Sequence, residues 1–153
     1  MSEPAVGAPA PDFDLETADG RIRLADFAGG ALVLYFYPKD DTSGCTREAQ
    51  DFTSLAGEFA KARIGVVGVS KDSLAAHRKF SAKYGLAVTL ASDPDGEVIA
   101  RYGSWVEKSL YGRKYMGIDR STFLIRNSAI ERIWRKVKVA SHAQLVLDAA
   151  RPG

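Results

Sequence analysis

The sequence predicts an α/β fold with a mixed central sheet flanked by helices and an N-terminal β-hairpin. Three observations carry that prediction. Ala31–Tyr37 (ALVLYFY) and Arg63–Ser70 (RIGVVGVS) are apolar runs of the kind buried strands need, and each is followed by a segment with helical spacing. Phe13–Thr17 and Arg21–Leu24 flank Asp19-Gly20, a two-residue hairpin signal. Ser121–Ile125 and Ala129–Val139 read as strands paired across Asn127-Ser128, and a last amphipathic helix follows them. Strand–helix alternation closed by a hairpin and a helix gives an α/β sandwich.

Taken in order, Pro4–Pro11 is a Pro/Ala arm extended against the body. The hairpin about Asp19-Gly20 comes next, and Ala28-Gly29-Gly30 breaks the chain before the central strand. Pro38 ends that strand because it has no N–H to give a ladder. Thr42 or Ser43 caps a helix that continues through Phe52, Leu55, Phe59 and Ala62, with a break expected at Gly57. After the second buried strand, Asp72 or Ser73 caps a helix that Gly85 stops at about Tyr84. Leu86–Ser92 reads as a short strand, Asp93-Pro94-Asp95-Gly96 as a turn, and Glu97–Tyr102 as a short helix. Gly103–Gly117, rich in glycine and aromatics, reads as a long loop, and such loops are often functional. Ser141 caps the closing helix, His142–Ala150.

Composition narrows the function. The chain has 153 residues, 46% hydrophobic and 26% charged, with a net charge of +2, and reads as one domain over 1–153. That charge is too small and dispersed for nucleic acid. The most basic run, Arg132–Lys138, alternates like a solvated strand face. No stretch reaches the roughly 18 apolar residues of a membrane span. The N-terminal residues carry no signal-peptide pattern. Two distant histidines and one cysteine rule against a structural zinc site, and no cofactor is implied. A lone cysteine closes no internal disulfide, which fits a reducing cytoplasm.

That cysteine, Cys45, falls after a buried strand and at a helix start, where free N–H groups favour an anion. A lone cysteine is ordinarily a small buried hydrophobe. Here Thr42, Ser43, Gly44, Thr46 and Arg47 around it are polar or tiny, poor company for a core residue. A redox dithiol would need cysteine at position 48, which holds Glu48. A phosphatase loop would need arginine at position 51, which holds Asp51. A Cys–His hydrolase would need His77 or His142, both read as surface residues of helices. What remains is a thiolate acting alone on a small electrophile. Full ionisation of a thiol with a pKa of about 8.5 gains only about 30-fold at neutral pH. A fast enzyme must therefore also stabilise its transition state. For a peroxide, that means hydrogen-bond donors aimed at both oxygens, such as N–H groups, the Thr42 hydroxyl and an arginine. Arg47, two residues on, faces elsewhere on the helix.

The stretch YPKDDTSGCTREAQDF resembles the peroxiredoxin active-site motif P-x-x-x-T-x-x-C, met by Pro38, Thr42 and Cys45. Its wording is similar to the peroxiredoxin Q (bacterioferritin comigratory protein) subfamily. APAPDFDL, GVSKDS, KYGL–SDPDGEVIARYG, YGRKYMGIDRSTFLI and WRKVKV–H extend the likeness along almost the whole chain. The resemblance implies a thioredoxin-like fold and reduction of hydrogen peroxide and organic hydroperoxides. It makes Cys45 the peroxidatic cysteine, oxidised to a sulfenic acid. Thr42 would hydrogen-bond thiolate and peroxide, and Pro38 would shield the sulfur. Arg120 would favour the thiolate and polarise the peroxide, and Glu48 would help hold that arginine. On residue grounds alone, Arg120 is a surface arginine at a strand start and Thr42 a helix cap.

Two departures stand out. The usual T-P-G-C reads Thr42-Ser43-Gly44-Cys45, and the resolving cysteine is missing. Where relatives carry one, this chain has Gln50 or Ser81. The chain is either a natural one-cysteine form or a Cys-to-Ser variant at position 81. An external thiol (thioredoxin, glutaredoxin or a small thiol) must then reduce the enzyme. The resemblance implies a monomer, with edge-to-edge dimers in some relatives. A redox-sensing or binding module without turnover is the alternative from another class. A holdase-like scaffold has only Trp105, Tyr111 and Tyr115 behind it.

Overall fold

The computed structural model describes residues 4–151. The first three and last two residues of the expected 1–153 domain lie outside the described residues. Its strands are β1 (Asp14–Thr17), β2 (Gly20–Arg23), β3 (Ala31–Phe36), β4 (Ile64–Ser70), β5 (Thr89–Ser92), β6 (Trp105–Leu110), β7 (Arg113–Ile118), β8 (Ser121–Arg126) and β9 (Ala129–Trp134). Helices α1 (Ser43–Ser54), α2 (Ala56–Lys61), α3 (Leu74–Tyr84), α4 (Glu97–Arg101) and α5 (His142–Ala150) connect or close them. Seven strands form one sheet in the order β2-β1-β5-β4-β3-β8-β9, and β6 and β7 stand apart as a pair. β3 lies parallel to β4 and antiparallel to β8, so the sheet is mixed.

β3 explains the layering. All six of its residues are buried, and strand geometry sends alternate side chains to opposite faces. Leu32, Leu34 and Phe36 join one core with Phe123, Ile125, Ile99 and Tyr102. Ala31, Val33 and Tyr35 join the other, with Phe52 of α1, Phe80 of α3 and Val146 and Leu147 of α5. Cys45 belongs to this second core. Gly68, opposite Tyr35 in the β3–β4 register, makes room for that ring, because a Cβ there would lie 2.6 Å from it. Phe52 stacks on Tyr35 at 4.9 Å and fixes α1 to the sheet; truncating such a residue to alanine costs about 3–5 kcal/mol.

Several elements differ from the sequence expectation. The N-terminal hairpin turns at Ala18-Asp19, because Thr17 pairs with Gly20 and its hydroxyl donates to the Gly20 carbonyl. Helix α1 breaks at Leu55, two residues before Gly57, which sits inside α2. Gly103–Gly117 is no loop: it holds the β6–β7 hairpin, turning at Tyr111 (φ 51°) and Gly112 (φ 79°). Both turn residues have the positive φ of a two-residue hairpin turn. Since the pair lies outside the main sheet, little of it is buried and its apolar signal is weak. β5 covers only Thr89–Ser92 of the expected Leu86–Ser92. β9 stops at Trp134, short of Val139, because Lys136 takes φ 47° and the Val137 N–H turns to the Arg120 carbonyl. Ser73 caps α3 as expected, whereas Ser141 (φ 62°) makes no side-chain cap on α5. The Pro/Ala arm lies along β9: the Gly7 N–H donates to the Ile130 carbonyl, and the Ile130 N–H donates to the Ala8 carbonyl.

Candidate active site

β3 delivers the chain to Pro38 at the C-terminal edge of the sheet, and five residues later α1 begins. Thr42 is the N-cap residue, its carbonyl accepting from the Thr46 N–H at 2.8 Å. Its hydroxyl does not cap the helix. It donates backwards to the Lys39 carbonyl at 2.9 Å. Cys45 is the third residue of α1, among the N–H groups that a helix leaves unpaired. Despite its polar sequence neighbours it is 2% exposed, packed beneath the helix against the β3 side of the core.

The decisive contact comes from 75 residues away. Arg120, between β7 and β8, donates from Nη2 to Cys45 Sγ at 3.2 Å and from Nη1 to Glu48 Oε1 at 2.7 Å. Cys45 and Glu48 are three residues apart on one helix face, so a single guanidinium spans both. Gly44 lets it lie close, since a Cβ there would stand 3.1 Å from Nη2. Arg120 is thus no surface arginine; its side chain is 17% exposed and that of Glu48 1%. Arg47 points away and lies near Asp51.

The electrostatics follow from burial. Desolvation pushes the Glu48 carboxyl up to about 7, even though the Arg120 charge and hydrogen bond pull the other way. Burial works against the Arg120 guanidinium too, but Glu48 and Cys45 more than offset it and hold its pKa above the ordinary value. Desolvation, then the charges of Glu48 and Cys45, drive the Tyr35 phenol well up. Tyr35 Oη and Glu48 Oε2 are buried with no hydrogen-bond partner among the described residues.

Residues the sequence did not single out hold Arg120 in place. Ser121 Oγ donates to the Asp119 carbonyl at 3.0 Å and shares a 2.6 Å hydrogen bond with Ser104 Oγ, both serines being fully buried. The Asp119 N–H donates to the Ser104 carbonyl. Both histidines correct the surface reading. His142 is buried, bonded to Thr122 Oγ1 at 2.8 Å, and burial with the Arg120 charge lowers its pKa to about 4. His77 is 1% exposed and faces Asp40.

The structure therefore brings together Cys45, Arg120, Glu48 and Gly44. Thr42 and Pro38 lie exposed in the segment that leads into α1, and Ser81 is half-buried on α3, its hydroxyl 3.5 Å from the Leu86 carbonyl. A cleft of about 450 Å³ between β1 and α4, whose lining includes Asp12, Asp14, Glu16, Asp93 and Asp95, contains none of these groups.

A lone buried thiol stands at a helix start on this mixed sheet, bridged to a carboxylate by a guanidinium. The chain belongs to the AhpC/TSA family, whose model matches residues 6–132, and within it to the peroxiredoxins of the Bcp, or peroxiredoxin Q, type. A putative peroxiredoxin Bcp of Coxiella burnetii is 47% identical over 144 residues, 93% of this chain and 95% of that protein. The solved bacterioferritin comigratory protein of Xanthomonas campestris, studied for alkyl peroxide reduction, matches at a TM-score of 0.88 and 43% identity over 97% of each chain. Two solved cysteine-to-serine variants of Xanthomonas campestris peroxiredoxin Q match at 43% and 42% identity, both with a TM-score of 0.88. They cover 97% of this chain and 97% and 96% of their own, and their changed cysteines are 36 positions apart. The fold is accordingly thioredoxin-like, of the peroxiredoxin type, and the chain is a thiol peroxidase with a peroxide substrate and a thiol reductant.

Proposed function

We propose that Cys45 is the peroxidatic thiol and that Arg120 is the group that makes it fast. The observation carrying this reading is the Arg120 Nη2–Cys45 Sγ contact at 3.2 Å. The Cys45 thiolate attacks the terminal oxygen of hydrogen peroxide or an alkyl hydroperoxide. An S–O bond forms, the O–O bond breaks, sulfur is oxidised to the sulfenic acid, and the departing oxygen leaves as water or alcohol after taking a proton. Charge moves from sulfur to the departing oxygen, and a guanidinium already beside the sulfur can follow it without reorganising. Glu48 holds the guanidinium in that place. With its own proton committed to Lys39, the Thr42 oxygen is left to accept the peroxide O–H. Pro38 roofs the loop above the sulfur.

Regeneration needs two external thiols. The first displaces water from the sulfenic acid to give a mixed disulfide, and the second releases Cys45. Cys45 and Ser81 are separated by the same 36 positions as the two altered cysteines of the Xanthomonas campestris enzyme. That spacing supports the reading of Ser81 as the resolving position, without a thiol in this chain, and of the chain as a one-cysteine peroxidase. Glutaredoxin or a small thiol serves as reductant, and thioredoxin does so less well, because the chain offers it no internal disulfide to reduce. The working form is a monomer in a reducing cytoplasm, with a dimer as the alternative. The test is turnover with dithiothreitol, hydrogen peroxide and the intact chain. One dithiothreitol should be oxidised per peroxide, Cys45→Ser should abolish it, and thioredoxin alone should support it poorly. Rapid oxidation without cycling under any reductant would favour a redox-sensing module instead.

A further inference from the structure

The loop from Pro38 to Thr42 carries two of the proposed site residues but belongs to no strand or helix, and α3 holds it from outside. Asp41 sits at φ 59°, a left-handed conformation that non-glycine residues rarely adopt. Its carboxylate accepts from Lys83 Nζ at 2.8 Å and from the Tyr84 hydroxyl at 2.6 Å. Asp40 is buried. Its N–H donates to Asp72 Oδ2 at 2.9 Å, and its Oδ1 accepts from the Tyr37 hydroxyl at 2.5 Å. Its Oδ2 meets His77 Nδ1 at 2.7 Å. His77 Nε2, in turn, lies 3.1 Å from the Ala91 carbonyl of β5.

A carbonyl only accepts, so Nε2 carries a proton. A second proton is shared between Nδ1 and Asp40 Oδ2 at 2.7 Å, and the ring bridges β5 to the loop. A buried polar pair of this kind is seldom the most stabilising choice, and an apolar replacement often folds as well or better. Neither residue touches the thiol. What the pair does fix is the shape of the segment that leads into Thr42 and Cys45.

We propose that Asp40 and His77 are positioning residues for the peroxide step, holding the Pro38–Thr42 loop in the conformation that admits peroxide to Cys45. This rests on the reading of Cys45 as the peroxidatic thiol. The pair acts as a unit, so losing either member removes the loop's buried tie to α3 and leaves only the exposed Asp41 contacts with Lys83 and Tyr84.

The experiment is stopped-flow oxidation of the intact chain by hydrogen peroxide, beside titration of the thiolate absorbance and thermal unfolding of each variant. His77→Ala and Asp40→Asn, assayed where both are folded, should each slow oxidation about tenfold without moving the thiolate titration. The double variant should be no slower than either single one. His77→Asn, whose amide can replace the Nδ1 hydrogen bond to Asp40, should recover much of the loss. Folded His77→Ala reacting at the wild-type rate, or losses that multiply in the double variant, would overturn the positioning role. So would slowing that follows a shifted thiolate titration. A wild-type chain no faster than a free thiol would instead overturn the peroxidase reading beneath it.

Discussion

Replacing Arg120 with methionine separates what the guanidinium does for the fold from what it does for the thiol. The substitution removes the donor to Cys45 Sγ and leaves Glu48, 1% exposed, without its partner. Hydrogen bonds to charged groups contribute about 1.5–3 kcal/mol, so oxidation of Cys45 should slow by roughly 10- to 100-fold at about 1.4 kcal/mol per decade. Breaking a buried pair by removing one member costs about 3–5 kcal/mol, and that cost should appear where Glu48 is ionised. The carboxyl titrates at about 7 with Arg120 present, and losing Arg120 removes two influences that lower it. At about pH 8 the variant should therefore be several kcal/mol less stable to urea than wild type. At about pH 5, where the folded carboxyl is neutral in both, most of the difference should vanish. Adding Glu48→Gln should restore stability at the higher pH and leave the rate low. Stopped-flow oxidation and urea unfolding at the two pH values measure both effects. A double variant that regains the peroxide rate would refute the argument, because the rate would then depend on relieving the carboxylate and not on the donor to sulfur.

Glu48→Gln alone should flatten the pH dependence of stability. The folded carboxyl binds its proton more tightly than the unfolded one, so its contribution is complete below about 4.5 and is lost as pH rises through about 7. That is worth on the order of 3 kcal/mol, and urea unfolding between about pH 4.5 and 7.5 should show the slope in wild type and not in the variant. Tyr35→Phe removes a buried hydroxyl with no partner among the described residues and should leave stability unchanged or raise it by about 1 kcal/mol; a loss above about 2 kcal/mol in thermal unfolding would mean the hydroxyl is bonded. Ser81→Cys should supply a resolving thiol: one equivalent of peroxide should close a disulfide between Cys45 and the introduced thiol, visible as a loss of two hydrogens by mass and as turnover with thioredoxin. Persistence of a sulfenic acid in that variant would place the resolving position elsewhere.

Much of this was legible in the residues. The unbroken run ALVLYFY marked the central strand, Asn127-Ser128 marked the β8–β9 turn, and Gly85 marked the end of α3. Cys45 at a helix start was readable because Pro38 and the capping residues punctuate the chain there. What spacing could not give was the partner of Cys45, since Arg120 reaches it only when β8 pairs with β3. The histidines were misread for a different reason. Helical periodicity places a residue on a helix, but burial depends on which stripe meets the sheet. His77 lies three residues from buried Phe80, and His142 continues the stripe of Ala143, Val146, Leu147 and Ala150. Both were therefore on inward faces, a signal present but masked by their polarity. The β6–β7 hairpin escaped because, outside the main sheet, it has little to bury.

The most direct test is the rate at which hydrogen peroxide oxidises Cys45 in the intact wild-type chain, followed by the fluorescence of Trp105 and Trp134. The account predicts a second-order reaction far faster than that of a free thiol, complete at one equivalent, absent in Cys45→Ser, and ending in a chain heavier by one oxygen. A rate no better than that of a free thiol would mean that the Arg120 contact confers no peroxidase function.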